Sequence, residues 1–342
     1  MSKVSLSIIV LNYNTSNVSL DCLQSLKSHL DPAFEVIALD NGSNDDFYQT
    51  AKKKYSKNKQ FSIIRSEKNL GFGGGNNFAV EKSKGDYLLF LNSDTLVPSS
   101  SRAYSRGDPD SGLLRSTRND DNIFTICLKY LFSHQDTIAV SCSLRNPDGT
   151  TQINGGYFPT LSRVFLWQTF LDDLPIISSM VKSIHPHGSN FNFLNKFFKG
   201  FSLYSDKSSR TESIIERDWL TGAFLMMAKS DFLSVSGFDP SIFMYAEELE
   251  LCFRLKKTNR KLVVLGDQSI IHIGGVSSGS TLAISGEVKG MVHFFKKHHP
   301  QSVWLVKLLF VCGSLLRLLI FGIIRNNAKA RDAYKQVLLN LT

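Results

Sequence analysis

Short apolar runs alternate with amphipathic stretches along the first hundred residues. The runs 4–11, 34–39, 61–65 and 87–91 are rich in branched aliphatic and aromatic residues, and polar residues follow each of them. Such runs are typical of buried parallel strands. Helices are predicted over 17–30, over 46–55, and from the end of the glycine-rich segment 69–77 to about Lys82. This alternation indicates an α/β fold with a mostly parallel sheet flanked by helices.

The rest of the chain is less regular. The pattern predicts a helix over 122–132, a strand over 137–144 that leads into the turn 146–149, a helix from Glu247 to about Lys257, and a strand over 269–271. Segment 99–120 is rich in Ser, Arg, Asp and Gly, which predicts an exposed loop. Segment 160–217 shows no clear period, so we expect loops there that determine specificity.

Composition and charge limit the class of protein. The chain has 342 residues, of which 42% are hydrophobic, so it can bury one large or two small cores. Its formal net charge of +9 suits nucleotide phosphates, anionic lipids or nucleic acid. The five cysteines are scattered without a Cys-x-x-Cys pair, which favours reduced thiols. With no secretory signal evident, we expect a cytoplasmic protein.

Polar side chains follow three of the predicted strands. Asn12 and Asn14 follow the first strand, Asp40 the second, and Asn92 and Asp94 the fourth. Ligands of parallel sheets bind at the carboxyl ends of the strands, so one crevice is expected to collect these residues. A carboxylate such as Asp94 can ligate a divalent cation there. An Asx turn at 92–95 is the alternative, and the matching Asp40 favours a ligand site.

The glycine-rich segment 71–75 does not carry a known nucleotide fingerprint. Asn76 stands where Gly-x-Gly-x-x-Gly needs its third glycine, and no Gly-Lys-Ser/Thr follows. The glycines predict either close approach of the backbone to a ligand beside a helix N-terminus, or a purely structural tight turn.

Carboxylates open the predicted helix at Glu247. Glu247, Glu248 and Glu250 follow an aromatic and glycine-rich approach over 237–245. Such an approach can desolvate a carboxylate and make it a stronger base, although an ordinary solvated helix start has the same composition. His272 is either a packed residue or a ligand, and Trp219 is either a core residue or an aromatic wall for a sugar ring.

The C-terminal part is apolar and basic. Segment 303–324 is long enough to span a bilayer, but Lys307 and Arg317 interrupt it. With basic residues on both sides, it predicts an amphipathic helix that lies on anionic lipid. A core helix or a dimer helix is the alternative, so a homodimer stays open. Since the basic excess adjoins an apolar helix, nucleic acid is not an expected partner.

Several motifs together resemble the inverting glycosyltransferases of family 2, which have the GT-A fold, and within them the bacterial rhamnosyltransferase-like branch. The resemblance covers roughly residues 4–276. It is carried by the segments 7–14, 39–43, 69–73, 85–87, 92–94, 146–149, 219–223, 237–239 and 247–248.

The resemblance implies a role for each matching residue. Asp40 matches a contact to the nucleotide, Asp94 the metal-binding carboxylate, and His272 a position that completes the metal or diphosphate site. Glu248 matches the catalytic base, a role that Glu247 could share. The chain departs from the family at Asn92 and Glu248, where Asp is usual. The further residues expected to bind the nucleotide-sugar are Asn12, Asn14, Asn41, Asn69, Gly71, Asn92, Ser93, Trp219, Thr221 and Gly222.

The resemblance implies a metal-dependent inverting transferase that uses Mg²⁺ or Mn²⁺. The donor would be a nucleotide-diphosphate sugar, with rhamnose one candidate, and the acceptor a glycan or lipid-linked glycan of a surface polysaccharide. The expected organisation is a GT-A domain over 1–285, with a nucleotide-binding half at 1–98 and an acceptor and catalytic half at 121–285, and a basic membrane-associating tail over 286–342. The alternative is a catalytically weakened sugar-nucleotide-binding or scaffold subunit. A nucleotidyltransferase is not favoured, because the phosphate-binding loop expected near the N-terminus of such an enzyme is not found in the sequence.

Overall fold

The computed structural model describes residues 4–98, 122–174, 177, 180–185, 213–274 and 280–341. The predicted loop 99–120 lies outside these residues, as do residues 186–212 of the segment without a clear period.

One mixed sheet of ten strands forms the centre of the fold. Its main path runs in the order β3-β2-β1-β4-β9-β6-β10-β5, with β7 beside β6 and β8 beside β10. The strands are β1 (Leu6–Asn12), β2 (Phe34–Asn41), β3 (Phe61–Ser66), β4 (Tyr87–Asn92), β5 (Thr95–Leu96), β6 (Thr137–Arg145), β7 (Thr151–Gln152), β8 (Ile214–Arg217), β9 (Phe224–Ala228) and β10 (Lys261–His272).

Helices cover both faces of the sheet, in the α/β architecture expected from the sequence. They are α1 (Ser16–Leu26), α2 (Phe47–Tyr55), α3 (Gly71–Val80), α4 (Ile123–Ser133), α5 (Leu161–Thr169), α6 (Lys229–Ser234), α7 (Glu247–Lys256), α8 (Ser280–His298), α9 (Val303–Arg317) and α10 (Ala328–Leu341). Short 3₁₀ turns lie at Lys27–His29, Leu171–Asp173 and Pro300–Ser302, and α9 continues as a π-helix over Leu318–Ile324. α3 begins at Gly71, inside the glycine-rich segment, and not after it as predicted.

The parallel strands β3, β2, β1 and β4 end side by side. Asn12 pairs with Asp40 across β1 and β2, and Leu11 pairs with Asn92 across β1 and β4. The apolar residues of β2 and nearly all of those in β1 and β4 are buried, as expected of strands covered on both faces, whereas Ile63 and Ile64 of the edge strand β3 are half-buried. The register therefore brings the three predicted strand ends to one edge of the sheet.

The sequence did not predict β9, which joins the two halves of the sheet. It runs antiparallel to β4 on one side and to β6 on the other. All but the last of its residues, Phe224–Ala228, are buried. Its position places the preceding residues, 219–223, directly beside the end of β4, because Asn92 N–H donates to Ala223 O at 3.2 Å.

The C-terminal helices belong to the same core as the sheet. The predicted boundary at residue 285 falls inside α8, and Met291, Phe294, Phe310 and Val337 are buried in one apolar cluster with residues of β4 and β9. The tail predicted over 286–342 is helical, and its helices bury their apolar faces against the domain.

Candidate active site

A cavity of about 330 Å³ lies at the carboxyl ends of β1 and β4, between them and the N-terminus of α7. Eleven of the fifteen residues that the sequence singled out line it. They are Asn41, Asn69, Gly71, Asn92, Ser93, Asp94, Thr221, Gly222, Glu247, Glu248 and His272.

Asn41 organises the side of the cavity formed by residues 69–71. Its Nδ2 donates to Asn69 Oδ1 and to Gly71 O, both at 3.1 Å, and its Oδ1 accepts from Leu70 N at 3.1 Å. Gly71 has φ +74° and lies so close to Phe243 O that it leaves no room for a Cβ atom. The N–H groups of Gly71 and Phe72 donate to Asn69 Oδ1 and Phe243 O. These two amides therefore serve the fold and are not offered to a ligand.

Asp94 and His272 meet where β5 pairs with the end of β10. Thr95 is in register with His272, and His272 Nε2 lies 3.2 Å from Asp94 Oδ1. His272 Nδ1 lies 2.6 Å from Gln152 Oε1, while Gln152 Nε2 donates to His272 O and Asn146 Oδ1, each at 2.6 Å.

These contacts fix the tautomer of His272. Gln152 can present only its oxygen to the ring, because its nitrogen is held by two carbonyl-type oxygens, so His272 Nδ1 carries the hydrogen. In the neutral ring, the Nε2 lone pair then faces the Asp94 carboxylate. Two electron-pair donors that converge in this way suit a cation between or beside them, and a second-sphere acceptor on Nδ1 is usual for a histidine ligand.

The described residues hold no group of three or more His, Cys, Asp or Glu side chains able to hold a metal ion. Asp94 and His272 fit a cation that takes its other ligands from a bound diphosphate or from water.

Glu247 and Glu248 enter the cavity from a strained turn. Tyr245 and Ala246, just before α7, have φ of +72° and +68°, a region that side-chain-bearing residues rarely adopt. The side chain of Glu247 is buried and that of Glu248 half-buried. Glu248 Oε1 accepts from Gly222 N at 3.4 Å, and within the described residues the Oε2 atoms of both carboxylates are buried without a hydrogen-bond partner.

The pKa of both carboxylates is raised. Burial, and after it the charge of Glu248, raise the pKa of Glu247 well above its ordinary value. Burial also raises the pKa of Glu248, against the opposing effect of backbone N–H donors including that of Gly222. The pair differs in this from a solvated helix start, whose carboxylates would be stabilised as anions by the helix dipole.

Three predicted residues at the β1 and β2 ends do not line the cavity. Asn12 is buried, and its side chain bonds to Ser43, Asp45, Thr15 and Ser19. Asp40 is also buried; it accepts from Ser43 N at 3.0 Å and pairs with Arg65 at 3.3 Å. Exposed Asn14 accepts from Asn44 N at 2.8 Å. These side chains hold the loops after β1 and β2 together, so their direct contact with a nucleotide is not supported.

Trp219 is the fourth predicted residue outside the cavity. Its indole is buried, donates to Ile184 O at 3.3 Å and packs edge-on against His185. It is therefore a core residue and not an aromatic wall for a sugar ring.

Several cavity residues were not identified from the sequence. Gln152 is the clearest case, since its role depends on the β6–β7 hairpin that brings it to His272. The turn at 146–149 signalled that hairpin, but not which residue would face the site. The others with polar or aromatic side chains are Tyr13, Phe72 and Tyr245.

Comparison with known proteins relates the chain to a family of transferases. The family model of glycosyl transferase family 2 matches residues 7–101. The chain is similar to the rhamnosyltransferase WbbL of Escherichia coli K12, with 26% identity over 59% of this chain and 60% of that protein. It is also similar to the putative glycosyltransferase EpsH of Bacillus subtilis 168, with 28% identity over 40% of this chain and 37% of that protein. The chain thus spans less than two thirds of the length of these relatives.

Two solved structures share the fold. A mannosyltransferase from Pyrobaculum calidifontis, in complex with GDP-Man and Mn²⁺, aligns with a TM-score of 0.53 and 11% identity over 98% of this chain and 85% of that one. GalNAc-T7 with UDP, GalNAc and Mn²⁺ aligns with a TM-score of 0.56 and 14% identity over 86% of this chain and 48% of that one. At these identities the likeness concerns the GT-A fold alone.

Proposed function

We propose that the chain, whose residues 7–101 match the model of glycosyl transferase family 2, transfers a sugar from a nucleotide-diphosphate donor to a glycan or lipid-linked glycan, with inversion at the anomeric carbon. The observation that carries this proposal is the meeting of two kinds of group around one cavity. A buried carboxylate pair stands at the start of α7, and the Asp94–His272 pair stands at the end of β4 and β10.

Glu248 is the proposed general base. Its Oε2 has no hydrogen-bond partner among the described residues, and Gly222 N holds its other oxygen. Burial raises the pKa of Glu248. A carboxylate with a higher pKa is a stronger base toward the hydroxyl proton of the acceptor. The acceptor oxygen forms a bond to the anomeric carbon as the bond to the diphosphate oxygen breaks. The hydroxyl proton passes to Glu248.

Asp94 and His272 are the proposed ligands of Mg²⁺ or Mn²⁺. Such an ion neutralises the diphosphate leaving group when it is bound. Gln152 supports this role because it keeps the hydrogen of His272 on Nδ1 and leaves a lone pair on Nε2, where Asn92 Nδ2 now lies at 3.4 Å. The Mn²⁺ in the two related structures gives further support.

The rhamnosyltransferase relative supports rhamnose as the first donor to test and a surface polysaccharide as the product class. The match covers 60% of that protein. The assay below therefore identifies the sugar and the acceptor.

The decisive experiment compares wild type with Glu248→Gln. The assay is release of nucleoside diphosphate from dTDP-rhamnose, UDP-glucose, UDP-GalNAc and GDP-mannose with Mn²⁺ or Mg²⁺ and candidate acceptors. Loss of a general base should slow transfer by about 10²–10⁴-fold, while binding of the donor survives. Glu216→Gln, at an exposed carboxylate, is the matched control. Full turnover by Glu248→Gln contradicts its role as the base, whereas a wild type that binds the donor without turnover favours the binding-subunit alternative. NMR of the product tests inversion.

The outer face of α9 supports a further part of the proposal, peripheral binding to anionic membranes. Pro300–Ile324 is long and apolar enough to cross a membrane. One face of this helix is buried against the domain, whereas the opposite face exposes a stripe of large apolar side chains beside the exposed bases Lys307, Arg325 and Lys329. The stripe comprises Trp304, Leu308, Leu315, Leu319 and Ile323.

Arg317 supports an orientation along the membrane surface and not across it. It donates to Gln168 O at 2.7 Å and to Trp167 O at 2.6 Å, the last carbonyls of α5, and it stacks on Phe170. A spanning helix would have to release these acceptors and carry the guanidinium into lipid, which is costly.

Flotation with phosphatidylglycerol vesicles tests this binding. Trp304→Ser with Leu308→Ser should reduce the bound fraction, and Leu233→Ser, at an exposed leucine of α6, should not. Point substitutions are preferable to truncation because α9 and α10 complete the core. Binding equal to wild type contradicts the proposal.

A further inference from the structure

The strained turn that precedes Glu247 and Glu248 packs against two helices, α3 and α8. On one side, Phe72 N donates to Phe243 O at 3.0 Å, and Gly71 packs against the same carbonyl. On the other side, α8 presents Gly286 and Gly290 to Tyr245 and Ala246. These two glycines are one helical turn apart and lie on the same face of α8.

The two glycines have no room for a side chain. A Cβ atom on Gly290 would lie 2.7 Å from Ala246 Cβ, and nearer still to the carbonyl oxygen of Tyr245. One on Gly286 would meet the Tyr245 ring and lie 3.3 Å from Met244 O. The obstacle at Gly290 is backbone and Cβ, which cannot turn away, whereas the obstacle at Gly286 is mainly a ring that can rotate.

Positive φ at two successive side-chain-bearing residues costs about 1–3 kcal/mol each and persists only where the surroundings enforce it. No local feature of Tyr245 or Ala246 favours that conformation, since neither is Gly, Asn or Asp. Packing against α3 and α8 is therefore what holds the turn.

We propose that Gly286 and Gly290 are positioning residues for catalysis: they let α8 pack directly on the Tyr245–Ala246 turn and so fix where Glu247 and Glu248 stand in the cavity. This proposal rests on the proposed transferase function. It adds that the C-terminal helix α8 is a required part of the catalytic site, although it contributes no residue to the cavity wall.

A second link makes α8 stiff at this point. Lys297 of α8 bridges Glu250 of α7 at 2.9 Å and Asp239 at 2.6 Å, and His298 Nε2 donates to the Glu250 carboxylate at 3.0 Å. The glycines therefore face the turn from a helix whose far end is tied to α7 itself. An added methyl group at Gly290 cannot be absorbed by a simple outward shift of α8, so the turn must move.

The test compares Gly290→Ala and Gly286→Ala with wild type and with Lys296→Ala, an exposed position on the same helix. Release of nucleoside diphosphate from the donor panel above gives kcat and KM. Calorimetry with UDP or dTDP and Mn²⁺ gives the nucleotide Kd and the fraction of binding-competent protein. Because a displacement near 1 Å can cost about 10²-fold in rate, we expect kcat per binding site to fall about 100-fold in Gly290→Ala. The fall in Gly286→Ala should be smaller, and the nucleotide Kd should stay within about twofold in both.

A rescue variant separates positioning from loss of stability. Ala246→Gly removes one of the two atoms that Gly290→Ala would strike and accepts positive φ without strain. The double variant should therefore recover part of the lost kcat. Gly286→Ala keeps the test available if Gly290→Ala does not fold. Wild-type kcat per binding site in both alanine variants overturns the positioning role. A wild type inactive with every donor overturns the transferase function itself, and the role with it.

Discussion

Replacement of Gln152 by leucine tests the proposed metal site at one hydrogen bond. In the wild type, Gln152 Oε1 accepts from His272 Nδ1 at 2.6 Å, which leaves the Nε2 lone pair directed at Asp94 Oδ1, 3.2 Å away. Leucine has a similar size but no acceptor, so the ring loses both its orientation and its preferred tautomer. Loss of such a supporting partner typically costs about 10–100-fold in metal affinity, or about 1.4–2.7 kcal/mol.

The assay is titration of Mn²⁺ in the presence of UDP or dTDP, by calorimetry or by electron paramagnetic resonance of the free ion. Gln152→Glu is the matched control, because it keeps an acceptor for Nδ1–H and should bind Mn²⁺ within a few-fold of wild type. Asp94→Ala, which removes a proposed ligand, sets the lower limit of affinity. The leucine variant also loses two donated hydrogen bonds of Gln152, so thermal unfolding must show that it is folded. An unchanged Mn²⁺ affinity in a folded Gln152→Leu protein refutes the argument.

Three further predictions concern stability. The pKa of Glu247 is raised in the folded protein, so the wild type loses stability as the pH rises above about 4.5 toward that pKa. Urea unfolding should therefore show Glu247→Gln to be more stable than wild type by about 1–3 kcal/mol at pH 8, with no gain at pH 4. The pKa of Glu250 is lowered in the folded protein, so its contribution to stability is present above about pH 4.5 and is lost in acid. Glu250→Gln should lower the unfolding free energy by about 3–5 kcal/mol at pH 7 and by progressively less below pH 4.5. A cost that does not depend on pH would contradict the ion-pair argument. Arg317→Leu leaves the last carbonyls of α5 without their donor and should lower the unfolding free energy by about 2 kcal/mol or more, whereas Arg325→Leu, at an exposed arginine, should change it little.

The edge where the cavity forms was predictable because it depends on local signals. Each strand of the first half is a short apolar run with polar residues behind it, and the carboxyl ends of neighbouring parallel strands must meet. That reasoning placed Asn92 and Asp94 correctly at the cavity. It failed for Asn12 and Asp40, because a polar residue at a strand end can serve the loops there as readily as a ligand. Which of these it does depends on partners such as Ser43 and Arg65, which the strand pattern does not identify.

Long-range contacts explain what the sequence could not show. The role of Gln152 arises from a contact with a residue 120 positions away, and the burial of Trp219 arises from its packing against residues 184 and 185. The C-terminal helices misled in the opposite direction. Their apolar and basic composition indicated a separate tail, yet one face of each completes the core. The outer face of α9 keeps the exposed apolar character that the composition suggested.

The carboxylates Glu247 and Glu248, which we propose act in catalysis, and the ion pairs of Glu250 belong to one arrangement on α7. Burial that raises the pKa of Glu247 and Glu248 also destabilises the first turn of α7, because charged or protonated carboxyl groups lose water there without a full set of partners. Three residues after Glu247, Glu250 is fully buried but has two cationic neighbours, Lys297 and a bidentate Arg254. Arg254 in turn donates to the carbonyls of Val235 and Gly237, just before the strained approach to the helix. The same helix thus carries one carboxylate, Glu250, whose pKa is lowered by its partners, and two, Glu247 and Glu248, whose pKa is raised by burial. Because Glu250 is paired to Lys297 of α8, α7 is tied in place, as the proposed proton transfer at Glu248 requires.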